Sequence, residues 1–303
     1  MSDISLPRRV PSNLHAIVLM VVGMVSFALT DTIIRHTTAS AGLGKIIFLH
    51  SIFGLLTCTL LMRRSGQRIT RELVTDRIVI LRISGDIVSI LLMTTALGLM
   101  PVAQVSAIMQ TQPLVLTIGA VLFLRESVSW FRWAAVAVGF VGALIILQPG
   151  TDSYTSASLL VLGGVMAQTW RDLLTRLLSS NHSTLAVATL TTAAVLVAGG
   201  VTHVISGDSY TIDATTLALL ALTGIVGALG YFAVVQSMRI GEISAIAPFR
   251  YARLIGAFLF AYVLLGEQPA LTTLIGAMLI VAGGLVVFYR ERRKARDKPS
   301  RLG

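Results

Sequence analysis

Long apolar runs separated by short polar breaks make up almost the whole chain, and the runs decide its class. Ten stretches of about 20 mostly apolar residues have the length an α-helix needs to cross a bilayer. They lie near Leu14–Ile34, Ile46–Met62, Ile78–Leu99, Val102–Leu124, Trp130–Leu147, Ala157–Leu178, Thr184–Ile205, Thr215–Gln236, Ile243–Leu265 and Ala270–Tyr289. Inside each run the apolar residues are continuous. A membrane barrel would instead show alternating strands of about 10 residues, so helices are expected. Met100-Pro101 alone parts the third run from the fourth, and Gly266 to Pro269 the ninth from the tenth, so no break holds a soluble domain. The first run is followed by no small-x-small cleavage site, and it reads as a span rather than a removable leader. The pattern predicts an all-α integral membrane protein of ten transmembrane helices.

Composition agrees. Of 303 residues, 55 % are hydrophobic and 13 % charged, about half the charge of a soluble domain. This excludes a soluble globular chain and a disordered one. The single cysteine, Cys58, excludes a disulfide framework and a multi-cysteine zinc site. The five histidines are scattered near the run ends and form no metal pattern, and no phosphate-cradling G-x-x-x-x-G-K-[ST] loop or H-E-x-x-H is present. Asp86 follows Ser84-Gly85, which is not the G-x-G-D of an intramembrane aspartyl protease. Neither a cofactor, a metal nor an enzymatic activity is expected.

The net charge of +10 is the signature of nucleic-acid binding only when it forms a patch. Here it forms clusters between the runs, where it sets topology. With the N-terminus inside, the inner segments hold 18 of the 24 lysines and arginines: Arg8, Arg9, Arg63, Arg64, Arg68, Arg71, Arg77, Arg125, Arg132, Arg176, Arg239 and seven from Arg290 to Arg301. The outer segments hold Arg35 and Lys45, and Arg82, Arg171, Arg250 and Arg253 lie within spans. This bias predicts a multi-pass protein of the cell (inner) membrane with both termini cytoplasmic. No nucleic-acid partner is expected, and the tail 291–303 suits anionic lipid headgroups.

A shift of 141 residues superposes the chain on itself. Gly23, Asp31 and Arg35 land on Gly164, Asp172 and Arg176; Glu126 lands on Glu267 and Gly142 on Gly283. Ser106-Ala107-Ile108 matches Ser244-Ala245-Ile246 at a shift of 138. Each half has five spans, and an odd number inverts the second half against the first. Inverted repeats of this kind build secondary transporters with a site near the midplane. Residues 1–148 form the first repeat and 149–290 the second.

The motifs that carry this repeat resemble those of the EamA branch of the drug/metabolite transporter superfamily. They are the first-span Asp with its following Arg, the segment from Arg125 to Gly142, and APFRYARLIGAFLFAYVLLGEQP followed by the glycines up to Gly284. The resemblance covers nearly the whole chain and implies a solute-translocating protein with a central cavity and no use of ATP. It is specific for the superfamily and says little about the solute.

Ionisable residues in the membrane interior are costly and mark functional candidates. Asp31 and Arg35, and their repeats Asp172 and Arg176, are spaced i, i+4 with the acid first, which predicts two helical ion pairs near opposite ends of the cavity. These four are the candidate gating or coupling residues, with a proton as the coupling ion considered. Arg82 is expected to snorkel to the cytoplasmic surface, Asp86 to face the cavity, and Arg171 to point away from Asp172. Arg250, Tyr251 and Arg253 form the densest polar group and need an anion or an acid from another helix. Gln112 is the repeat position of Arg250 or Arg253, depending on the shift. Together with Gln110, Gln112, Asp86, Gln168 and Trp170 they make the expected substrate-binding set. Arginines outnumber acids in the spans, which favours an anionic or zwitterionic metabolite such as an organic acid, an amino-acid-like compound or a nucleotide-related one. The alternative is efflux of a drug or other cation; an intramembrane enzyme or a non-transporting scaffold is remote. The expected partners are the solute and the lipid bilayer, with a homodimer left open.

Overall fold

The computed structural model describes residues 13–124, 130–148, 156–178, 182–207, 212–240 and 246–296. Twelve α-helices and one 3₁₀ turn occupy them: α1 (Asn13–Thr37), α2 (Leu43–Arg64), α3 (Arg71–Thr75), α4 (Arg77–Leu99), α5 (Val102–Met109), α6 (Gln112–Leu124), α7 (Trp130–Leu147), α8 (Ala157–Arg176), α9 (Thr184–Ser206), α10 (Ala214–Ile240), the 3₁₀ turn Ala247–Tyr251, α11 (Ala252–Leu265) and α12 (Leu271–Arg296). Apart from the short α3, which lies between the second and third runs, these map onto the ten apolar runs once two are recognised as broken. Seven stretches have the length and composition of a span, and α7 and α12 contribute shorter apolar ones. The tenth, α8, carries Arg171, Asp172 and Arg176.

The two breaks have local causes. Pro113 has no N–H to return to the preceding turn. Thr111 tightens that turn instead, its hydroxyl and amide both donating to the Ile108 carbonyl, and α5 gives way to α6. Pro248 stands in the first turn of the 3₁₀ segment that precedes α11. Elsewhere the helix ends follow capping chemistry. Asp76 accepts from the Ile78 amide at the start of α4, and Ser183 from Ala186 at the start of α9. Gly266 (φ 66°) turns the chain left-handed after α11, with its amide and that of Glu267 returning to the Tyr262 and Ala261 carbonyls. That turn aims Glu267 back at the bundle.

The halves are interleaved rather than side by side. α1 packs on α10 and α11, α4 and α6 on α8, α2 on α9, and α7 on α12. Glycines permit the closest crossings: a Cβ at Gly142 or Gly276 would collide with the other's carbonyl oxygen, so α7 and α12 touch backbone to backbone. One apolar core runs through both halves, including Ala28, Met93, Leu97, Ile108, Val161, Val165, Leu220, Ala257 and Ile280. The outward faces carry exposed Leu, Ile, Val, Phe and Trp in every long helix, a surface that only lipid solvates.

Candidate solute-binding site

Polar side chains from both halves meet in the interior of this apolar bundle. Asp31 on α1 is held by Arg253 on α11, whose Nη2 and Nε donate to one carboxylate oxygen at 2.7 and 3.2 Å. The Arg253 guanidinium also lies over the Phe27 ring, 5.4 Å from its centroid. A second network joins α4, α8, α6 and α9. Arg82 Nη1 donates to Asp86 Oδ2 (3.0 Å) and to the Thr191 hydroxyl (2.9 Å), and its Nε to the Thr175 hydroxyl (2.9 Å). Arg171 Nη1 donates to Asp86 Oδ1 (3.0 Å) and its Nε to Asp172 Oδ1 (2.9 Å). Gln112 Nε2 closes the chain on Asp172 Oδ2 at 2.8 Å. Charges thus alternate as Arg82, Asp86, Arg171, Asp172, with every carboxylate oxygen of the two acids engaged.

Arg250 stands apart. It makes no hydrogen bond or ion pair with another described residue. It lies within electrostatic reach of Asp172, Arg171, Tyr251 and Arg253 and is exposed. A guanidinium set beside this charged layer and left exposed is free to meet a solute. Tyr231 on α10 lies within electrostatic reach of Arg82, Arg171 and Asp86. The Tyr251 hydroxyl packs on Gly284 of α12, where any Cβ would overlap it.

The first of the two expected helical ion pairs does not form. Arg35 does not meet Asp31. Its Nε lies 3.4 Å from Glu267 Oε1, and its Nη1 donates to the Leu97 and Gly98 carbonyls at 3.0 and 2.7 Å. Position 35 is the last turn of α1, within reach of the bare carbonyls at the end of α4, whereas position 31 faces α11. Glu267 Oε2 in turn accepts from the Val102 amide, the exposed donor at the start of α5. Asp172 is met by Arg171 and Gln112; the side chain of Arg176, like Glu126, lies outside the described residues.

Three further expectations change. Arg82 does not snorkel: it is buried, because Asp86 and two threonines satisfy it inside. Arg171 does not point away from Asp172, its neighbour in sequence. Trp170 lies on an exposed stripe with Leu159, Met166 and Leu177, edge-on to exposed Phe123 at 6.3 Å, and so faces outward rather than into the polar layer. Gln110 caps α5 at the break, and Gln168 lies half-buried on α8, away from that stripe.

Sequence reading missed Tyr231, Thr175 and Thr191, which carry no pattern of their own. It also missed His50, expected at an interface: the ring lies deep between helices, Nδ1 3.0 Å from the Thr223 hydroxyl of α10. Thr175 could have been sought one turn beyond Arg171, where small hydroxyls accompany charges. Glu267 had a signal, its register with Glu126, but no partner was assigned.

Interleaved inverted repeats around a buried layer of arginines and acids define a membrane solute carrier. The model of the EamA-like transporter family matches residues 14–148 and again 155–289, so the chain belongs to that family, and with it to the drug/metabolite transporter superfamily. It is similar to the riboflavin transporter of Vibrio cholerae, 27 % identical with 91 % of this chain and 94 % of the relative covered. It is also similar to the S-adenosylmethionine uptake transporter of Rickettsia bellii (28 %, covering 68 % and 70 %) and to the pseudopaline exporter of Pseudomonas aeruginosa (24 %, covering 88 % and 93 %). A solved crystal structure shares the fold at a TM-score of 0.66 and 16 % identity, over 91 % of this chain and 98 % of that one. The protein is a multi-pass membrane transporter of small metabolites and not an enzyme.

Proposed function

We propose that the protein is a secondary-active transporter that carries an anionic or zwitterionic metabolite by alternating access, with Arg250 as the anchor for its negative group. One observation carries this reading. Among the described residues of the spans, the charges of Asp31, Asp86 and Asp172 are met by Arg253, Arg82 and Arg171, and Arg250 remains without an acid. A planar guanidinium facing a cavity is a ready partner for a carboxylate or phosphate. A cation carrier needs a carboxylate to spare, and each of these three already holds an arginine.

The Arg35–Glu267 tie supports a gating role at its end of the bundle, since it fastens α1, the α4–α5 turn and the α11–α12 loop together. The excess of basic residues at the opposite end supports cytoplasmic termini in an inner membrane.

The names of the relatives supply a test. Riboflavin bears no charge at neutral pH, whereas its phosphate ester is an anion built on the same ring system. In proteoliposomes the wild type is expected to take up the phosphate ester in preference to riboflavin, and Arg250→Gln to abolish that preference. Riboflavin uptake by the wild type that Arg250→Gln leaves unchanged would overturn the reading.

A further inference from the structure

We infer that an anion must occupy the cavity before the protein can close over it, so that the transporter exchanges one solute for another and returns empty only slowly. The inference rests on Arg250 as the anchor, takes the anionic branch of that reading, since a zwitterion would leave the net charge unchanged, and extends it to the mode of transport.

The charge count inside the spans carries it. Four arginines, Arg82, Arg171, Arg250 and Arg253, face three acids, Asp31, Asp86 and Asp172, among the described residues. No re-pairing of these seven side chains changes the sum. If Arg250 swung to Asp172 it would share a carboxylate that Arg171 and Gln112 already hold, and the sum would still leave one cation over. Arginine does not shed its proton in a protein, so titration offers no escape. The nearby Arg35 brings no spare charge of its own, because Glu267 answers it.

In the conformation described here the extra charge is tolerable, because Arg250 reaches solvent. Alternating access must pass through a state in which the cavity is sealed from both sides. Sealing an uncompensated guanidinium in a low-dielectric interior is costly. One bound monoanion brings the layer to neutrality and replaces the lost water with a charge-assisted hydrogen bond. The loaded carrier therefore crosses easily and the empty one does not. Solute leaving on one side then requires another anion to enter before return.

The test needs no knowledge of the natural solute. In a Cys58→Ser background, a reporter Gln110→Cys beside the α5–α6 break is labelled with a membrane-impermeant maleimide in proteoliposomes, in a medium whose sole anion is a bulky sulfonate. The slow phase of labelling reports the return of empty carriers. Arg250→Gln is expected to accelerate it by on the order of a hundredfold, and Arg250→Lys, which keeps the charge, to leave it slow. Gln168→Glu adds a negative charge one turn before Asp172 on α8 and keeps Arg250 in place, and is expected to accelerate it too. It also serves if Arg250→Gln does not fold. A wild-type slow phase as fast as that of the charge-balanced variants would overturn the inference. Failure here leaves the anchor reading to its own test, since that one measures solute preference and this one solute-free return.

Discussion

The 141-residue shift that maps Asp31 onto Asp172 also maps Gln112 onto Arg253. The contact Asp31–Arg253 and the contact Asp172–Gln112 are therefore one arrangement built twice, each linking the first helix of one repeat to the broken helix of the other. Only the chemistry differs. In one copy a guanidinium answers the carboxylate, and the pair is self-sufficient. In the other an amide N–H donates from the same place, and the acid turns also to Arg171, which holds Asp86 and through it Arg82. Position 171 maps back to Thr30, whose buried hydroxyl has no partner among the described residues, so no counterpart of this network forms at that position in the first half. Inversion fixes where polar groups meet. The residue type at each meeting point then decides whether the result is an isolated pair or a shared network that leaves Arg250 over.

The largest effect is expected from turning the first contact into the second. Arg253→Gln leaves Asp31 as a buried charge without its cation and should cost about 3–5 kcal/mol, read as loss of thermal stability in detergent. Asp31→Asn combined with Arg253→Gln should recover much of it. Cutting the second contact should matter less: Gln112→Ala removes one hydrogen bond to a charged acceptor, about 1.5–3 kcal/mol, while Arg171 still holds Asp172. If the two single variants are equally damaging, the contrast between a self-sufficient pair and a network is wrong.

Glu267→Gln should be milder still, about 1 kcal/mol or less, because the Arg35 pair is long and partly exposed. It should nonetheless raise the accessibility of cysteines placed near Val102. The smallest effect is at the opposite end, where Asp76 meets His182 at 2.8 Å and Gln67 accepts from Ser183. The His182 hydrogen bond, helped by the Ile78 amide, holds the Asp76 carboxyl below its usual range. A depressed carboxyl contributes stability above its ordinary value near 4 that fades as pH falls further. The wild type should thus lose more thermal stability than Asp76→Asn on acidification below about pH 4, and equal losses would show that the tie contributes nothing.

How much of this was legible in the chain divides by range. The ten apolar runs, the repeat and nearly every charged residue of the polar layer follow from the sequence, because lipid forces apolar continuity and makes each interior charge conspicuous. Partners were not legible. The i, i+4 spacing of Asp31 and Arg35 suggested a helical pair, yet which partner each side chain meets depends on α11 and on the open carbonyls at the end of α4. The spacing rule describes an isolated helix, and here a doubly donating arginine and bare carbonyls outcompeted it. The repeat itself held the missing clue: applying one shift to both Asp31 and Gln112 yields the crossed pairs. Trp170 misled for a different reason, since its neighbours in sequence face the polar layer and only the stripe from Leu159 to Leu177 shows that it does not.

The central claim is that one guanidinium in the cavity waits for an anion. It is tested most directly by the thermal shift of the detergent-purified protein against matched pairs of small carboxylic acids and their amides, since a ligand stabilises the state it binds. The account predicts that acids raise the melting temperature of the wild type, that their amides do not, and that Arg250→Gln abolishes the difference. Equal shifts from acids and amides, or a difference that survives in Arg250→Gln, would contradict it.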